Sequence, residues 1–405
     1  MISNIVQSCE EKLKDVIKDI EDIAVYNQHK VLKAFQDNNI ALHHFSGSSG
    51  YGYDDLGKVK LSSLFASIFH TEDAICSPLI TSGTHALCVS LFGILRPGDK
   101  FVSITGNVYD SLQTAVSGDN VGSLKEMGVS FNYIDLLENN MFNYTEIENY
   151  MKNNSPRLVY FQRSAGYSNR DTLSISELKE GIDFVKKINP NVIVFVDNCY
   201  GTFSDKLEPT DVGADVCVGS LIKNAGGGLA PTGGYIVGKA DLVSLIAGRL
   251  FGVGLGMEVG SYSYGYQNYF EGLFIAPSVV KNALKGSCLV GAVLSELGID
   301  SCPQPYTKPN DLIRRITFND EEKMIKFIQL VQLCSPVDSF VKPVPSEMPG
   351  YDSKVIMAAG GFVQGASIEM SCDGPVRPPY TAYFQGGITY EQVKLFANEI
   401  VSNIQ

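Results

Sequence analysis

Between about residue 60 and residue 197 the chain alternates short apolar runs with longer segments of helical periodicity, and that alternation restricts the fold more than any other feature. Strand-like runs stand at 74–79, 101–104, 129–134, 158–161 and 192–197, with helical patterns at 61–69, from Gly83, about Leu112 and at 176–188. Runs this apolar suit strands covered on both faces, and strand–helix–strand order calls for a mostly parallel sheet. The expected fold class is therefore α/β: a large domain on such a sheet over residues 59–276, then a smaller C-terminal α+β domain over 277–405. In that second part, beyond about Pro277, the alternation gives way to helices and to β-rich segments at 316–319, 355–357 and 362–370. Residues 1–58 read as an N-terminal helical arm, with apolar positions at Ile17, Ile20, Ile23, Ala24 and Val31, and then a glycine-rich loop at 43–53.

A chain of 405 residues with 44% hydrophobic composition can bury a large core. Its formal charge of −12 argues against a nucleic-acid partner, which would need an excess of Lys and Arg, while leaving room for a small anionic ligand held by local cations. No run reaches the roughly 20 apolar residues of a membrane span, and the first residues lack a signal-peptide pattern, so a cytoplasmic protein with no membrane partner is expected. Nine cysteines lie scattered without Cys-x-x-Cys spacing, several inside apolar runs such as that around Cys217. Buried reduced thiols fit better than disulfides or a zinc site, and no metal site is expected.

The chemistry concentrates on two residues. Asp197 ends the apolar run Val192-Ile193-Val194-Phe195-Val196, and Lys223 lies in Gly219-Ser220-Leu221-Ile222-Lys223-Asn224 ahead of Gly226-Gly227-Gly228. A lysine amine can hold an aldehyde as a Schiff base, and a carboxylate can keep a pyridine nitrogen protonated so that the ring accepts electrons. Both demands meet in one ligand, pyridoxal 5'-phosphate. The glycines after Lys223 either let backbone approach that ligand or simply form turns. Thr81-Ser82-Gly83-Thr84 opens an apolar helix, and free N–H groups with the helix dipole suit a phosphate; plain N-capping by Ser82 or Thr84 is the alternative. Tyr109, after the strand at 101–104, is placed to stack on the ring and exchange a proton with a leaving group, or else is a structural tyrosine. Arg377, in a proline-rich frame, suits an amino acid carboxylate gripped through two hydrogen bonds, or a surface ion pair. Arg163, at the end of the strand at 158–161, is assigned to the same crevice, with a structural bridge to an acidic neighbour as the alternative.

These residues resemble the fold-type I pyridoxal phosphate enzymes of cysteine and methionine metabolism, closest to the methionine gamma-lyase-like, or aluminium resistance, branch. The resemblance rests on Gly50-Tyr51-Gly52-Tyr53-Asp54-Asp55, Ser82-Gly83-Thr84-His85-Ala86, Leu95-Arg96-Pro97-Gly98-Asp99, Val196-Asp197-Asn198-Cys199-Tyr200, Ser220 with Lys223, and Arg377-Pro378-Pro379-Tyr380, markers that run through nearly the whole chain. It implies the aspartate aminotransferase fold, Lys223 as Schiff base and proton carrier, Asp197 on the pyridine nitrogen, Ser82, Gly83, Thr84 and Ser220 on the phosphate, and Tyr109 stacked on the ring. It further implies that Tyr51 or Tyr53 completes the phosphate site across a subunit interface, in a homodimer often paired into a homotetramer. The implied activity is a carbon–sulfur lyase acting on a sulfur-containing amino acid by β- or γ-elimination. A same-cofactor aminotransferase or γ-replacing transferase, or a catalytically silent cofactor-binding homologue, remains the alternative, because fold does not fix function. One departure stands out: where related lyases place a Pro- and Asn-containing segment, with the Asn near the ring hydroxyl, this chain has Gln162-Arg163-Ser164-Ala165-Gly166-Tyr167.

Overall fold

The computed structural model describes residues 2–404 except 139, 169 and 349–352. The chain divides into two compact units that interleave in sequence: one gathers Lys30–Leu221 and Thr232–Glu271, the other Met1–His29, Ile222–Pro231 and Gly272–Gln405. In chain order the elements are α1 (Asn4–Lys12), α2 (Lys14–Asp37), α3 (Leu56–Ile68), β1 (Asp73–Ser77), α4 (Gly83–Ile94), β2 (Lys100–Ser103), α5 (Asp110–Ser117), β3 (Ser130–Tyr133), α6 (Tyr144–Asn154), β4 (Leu158–Gln162), α7 (Ile175–Ile188), β5 (Ile193–Asp197), β6 (Val216–Ser220), β7 (Gly234–Gly238), α8 (Ala240–Phe251), α9 (Gln267–Glu296), β8 (Asp300–Cys302), β9 (Ile313–Thr317), α10 (Glu321–Leu333), β10 (Val355–Ala358), β11 (Ser371–Pro375), β12 (Thr381–Gln385) and α11 (Tyr390–Asn403).

The larger unit is built on a sheet of order β1-β7-β6-β5-β4-β2-β3. β7 runs antiparallel to both its neighbours, and the other strands share one direction, as the α/β reading requires. Side chains alternate between the two faces, and both faces are apolar because helices cover both. Leu158 and Tyr160 of β4, Phe195 of β5, Val216 and Val218 of β6 and Ile236 of β7 pack with Ala86, Leu87 and Leu91 of α4 and Leu112 of α5. Val159 and Phe161 of β4 and Val194 and Val196 of β5 pack on the opposite side with Ile147 and Met151 of α6 and Leu178, Ile182 and Val185 of α7. Burying one such side chain contributes about 1.5–3 kcal/mol, which explains why so few polar positions interrupt these strands.

The other unit holds an antiparallel sheet of order β10-β11-β12-β9-β8. Its N-terminal helices join it through Lys12 on Glu296 (2.6 Å), Glu21 on Lys285 (2.7 Å) and Glu10, which accepts from the Tyr390 hydroxyl (2.8 Å). Three details differ from the sequence reading. Residues 362–370 form turns rather than a strand, because Glu369 accepts from the N–H groups of Phe362 and Val363 and closes the segment on itself. Pro277 lies inside the 30-residue α9 instead of at a break, and the glycine-rich loop begins with a short 3-10 turn at Leu42–Phe45. Among the described residues α9 is the helix long and apolar enough to cross a membrane by length and composition, and 67% of its apolar window is buried inside the protein.

Candidate active site

Strand parity brings a polar row to one end of the larger sheet. Gln162, Asp197 and Ser220 close β4, β5 and β6 on the face that carries Tyr160, Phe195 and Val218, under α4 and α5. The carboxylate of Asp197 is buried and held from two sides: the Cys199 N–H donates to its Oδ1 at 3.0 Å, and the Tyr160 hydroxyl donates to its Oδ2 at 3.3 Å.

The first turn of α4 faces Ser220. Ser82 caps the helix, its Oγ accepting from the His85 N–H at 3.0 Å, so the capping alternative is realised. Capping leaves the first helical N–H groups, those of Gly83 and Thr84, without an intrahelical acceptor. A Cβ on Gly83 would stand 3.0 Å from Cys199 Sγ and 3.3 Å from Ser220 Cβ, so only glycine leaves a hollow there. The Ser220 hydroxyl is buried and has no hydrogen-bond partner among the described residues. A buried hydroxyl left unmatched costs roughly 1–3 kcal/mol, and an anion at the helix start would supply both its acceptor and that of the free N–H groups. Thr84 Oγ1 lies 2.9 Å from Ser111 Oγ, tying the starts of α4 and α5. The residues therefore fit a phosphate. Tyr109 precedes α5 half-buried, its ring edge 3.3 Å from where a Cβ on Gly166 would lie, and the same point is 3.2 Å from Gln162 Nε2. Gln162 Oε1 and Ser164 Oγ are also buried at this edge, without partners among the described residues.

Arg163 is placed differently from the sequence assignment. One position past Gln162, it has the opposite parity and lies on the α6/α7 side of the sheet. Its Nε donates to Leu173 O (3.2 Å), Nη1 to Asn198 Oδ1 (2.8 Å) and Gly201 O (3.0 Å), and Nη2 to Ser204 Oγ (3.1 Å). Asn198 in turn donates to Glu208 Oε2 at 3.1 Å, and burial pushes the Glu208 carboxyl above its usual range. This buried network fixes the loops behind Asp197, which makes Arg163 a brace for the strand ends, as its structural alternative allowed.

Within the other unit, Lys223 is half-buried and its Nζ donates to Ser367 Oγ at 3.0 Å. Gly227 is left-handed (φ 56°), and a Cβ there would meet Gly272 O at 2.3 Å, so the glycine run serves a turn packed closely on α9. Arg377 follows β11 on an exposed turn and makes no ion pair among the described residues. Tyr51 and Tyr53 are 71% and 60% exposed and stack on each other with ring centres 5.3 Å apart. Their loop is anchored by Asp55, which accepts from the Tyr266 hydroxyl at 2.9 Å. Tyr160 and Ser367 were not singled out from sequence, and Gln162 was named only within the departing segment; Tyr160 and Gln162 carry a usable signal, since both share the parity of Asp197 in a paired strand.

The mostly parallel sheet of the larger unit belongs to the fold of the fold-type I pyridoxal phosphate enzymes, which solved structures at 15–16% identity share. The model of the methionine gamma-lyase family matches residues 2–405, and the chain belongs to that family, the pyridoxal phosphate-dependent carbon–sulfur lyases of sulfur amino acids. It is 46% identical over 397 residues to the uncharacterized protein YnbB of Bacillus subtilis, covering 97% of this chain and 94% of that one. A carbon-sulfur lyase involved in aluminum resistance from Clostridium novyi superposes with a TM-score of 0.95 at 42% identity, covering 100% of this chain and 97% of the other. An L-methionine gamma-lyase of Fusobacterium nucleatum is 28% identical over 199 residues, 49% of this chain and 46% of that enzyme.

Proposed function

We propose that this chain eliminates a thiol from a sulfur-containing amino acid, with Lys223 moving the Cα proton and Asp197 holding the proton on the cofactor's ring nitrogen. The observation that carries the reading is the buried, unmatched Ser220 hydroxyl over the free N–H groups of α4, on the same sheet face as Asp197. When bound, pyridoxal phosphate supplies an electron sink for the charge left at Cα. Ser82, Gly83, Thr84 and Ser220 would hold its phosphate, and Tyr109 would stack on its ring and pass a proton to or from the departing sulfur. Ser367 restrains the Lys223 amine at Nζ, and Arg377, exposed and without an ion pair among the described residues, is available for the substrate carboxylate. Tyr51 and Tyr53, large exposed aromatics on an anchored loop, would complete the phosphate site of a second copy in a homodimer or homotetramer. None of the nine cysteines is paired in a disulfide, which supports a reducing, cytoplasmic setting.

The test is an absorbance spectrum of the purified protein before and after borohydride, then a panel of sulfur amino acids with ammonia, 2-oxo acid and thiol detection. The expected result is a yellow, borohydride-fixable protein that releases all three products without an amino acceptor. Turnover only with an added 2-oxo acid would make it an aminotransferase, and a coloured protein without turnover a silent binder. Lys223→Ala is expected to abolish both fixation and turnover.

A further inference from the structure

We propose that the buried hydroxyl of Tyr160 is a positioning group for Asp197, fixing the carboxylate and favouring its ionised form so that a ring nitrogen bound there stays protonated. This rests on the reading of Asp197 as the partner of the cofactor's ring nitrogen.

Tyr160 is fully buried in the middle of the sheet, where an apolar residue would serve packing as well. Its ring lies against Phe195 with centroids 5.6 Å apart and planes 17° from parallel, which leaves the hydroxyl little freedom. The alternating pattern sets Tyr160 and Phe195 opposite each other and Gln162 and Asp197 one step further along the same face, so the phenol oxygen reaches Asp197 Oδ2 at 3.3 Å. The Cys199 N–H holds Oδ1 at 3.0 Å, and with a donor on each oxygen the carboxylate cannot turn about its χ2 without breaking one of them. Burial, and after it the neighbouring Asp197 charge, push the phenol ionisation far up, so the hydroxyl is a permanent donor. A donor on a carboxylate stabilises the ionised state. Between a protonated ring nitrogen facing a carboxylate and a neutral nitrogen facing a carboxylic acid, it therefore favours the charged pair. A residue that served packing alone would have no such preference.

The experiment compares apoprotein affinity for pyridoxal phosphate with affinity for its analogue carrying carbon in place of the ring nitrogen, in wild type and Tyr160→Phe. Phenylalanine keeps the stack on Phe195 and removes only the hydroxyl; should it fail to fold, Tyr160→Met is the second variant. Wild type is expected to prefer pyridoxal phosphate, and Tyr160→Phe to narrow that preference about tenfold while binding the analogue as wild type does. Equal losses for both ligands would reduce Tyr160 to a packing residue, and an unchanged preference would remove it from the site; either result overturns the proposal. A wild type with no preference would instead sink the assignment of Asp197, and this proposal with it.

Discussion

A buried hydroxyl without a partner is a cost that folding alone does not recover, and Ser220 carries that cost at the start of α4. Ser220→Ala is accordingly expected to leave the melting temperature of the apoprotein unchanged or slightly higher while weakening pyridoxal phosphate about tenfold, as fluorescence titration and calorimetry would read. Arg163 presents the opposite case. Arg163→Met would take the guanidinium donors from Asn198 Oδ1, Leu173 O and Ser204 Oγ, one of several from Gly201 O, and one of the cations near Glu208, a loss of about 3 kcal/mol seen as a lowered denaturant midpoint. Glu208 also gives stability a pH dependence. Its carboxyl is raised in the folded chain, so the folded state binds the extra proton, and stability falls as pH climbs from the ordinary carboxylate range through the raised value, then levels. Glu208→Gln is expected to flatten that slope in denaturant midpoints measured between about pH 4 and pH 8, whatever it does to the absolute stability.

Helix starts separate structural from ligand-binding hydroxyls. Ser82 caps α4 and Ser174 caps α7, the latter in a reciprocal arrangement with Glu177. Replacing either by Ala is expected to cost about 1 kcal/mol of stability, but only Ser82→Ala should also weaken the cofactor, which paired unfolding and titration experiments would check. From sequence, α4, β4, α7 and β5 are readable because apolar period and caps agree, and Lys223, Asp197 and Ser220 stand out because ordinary surfaces do not arrange them so. β7 was not legible: Gly234-Tyr235-Ile236-Val237-Gly238 has the apolar content of any strand, and nothing local tells its antiparallel direction. Of the two readings of Arg163, position at a strand end does not choose between them; the face that an odd-numbered neighbour of Phe161 takes favours the structural one. The turn at 362–370 escaped because its shape is set by the Glu369 carboxylate reaching back to Phe362 and Val363, a contact that periodicity does not register.

On the scale of the molecule, the first 29 residues cluster with the C-terminal ones, burying Val6, Cys9, Leu13 and Ile20. Deleting residues 2–29 is therefore expected to remove on the order of 6 kcal/mol of apolar burial and to yield insoluble protein or a sharply lowered melting temperature. No composition shift marks this return of the chain start to the chain end, which is why interleaved units are hard to read from a sequence. If Tyr53 acts on a second copy, co-expressing Lys223→Ala with Tyr53→Ala chains should restore turnover in mixed dimers, since one of their two sites would be intact; activity no higher than in either variant alone would count against sharing. The two-residue rhythm of β4 also limits how this protein can change. Exchanges of one apolar side chain for another leave Gln162 and Arg163 facing their separate tasks, whereas a single residue gained or lost between Leu158 and Gln162 would trade the amide for the guanidinium and disarm both sides of the sheet at once. Drift by replacement is open to this strand; drift in length is closed.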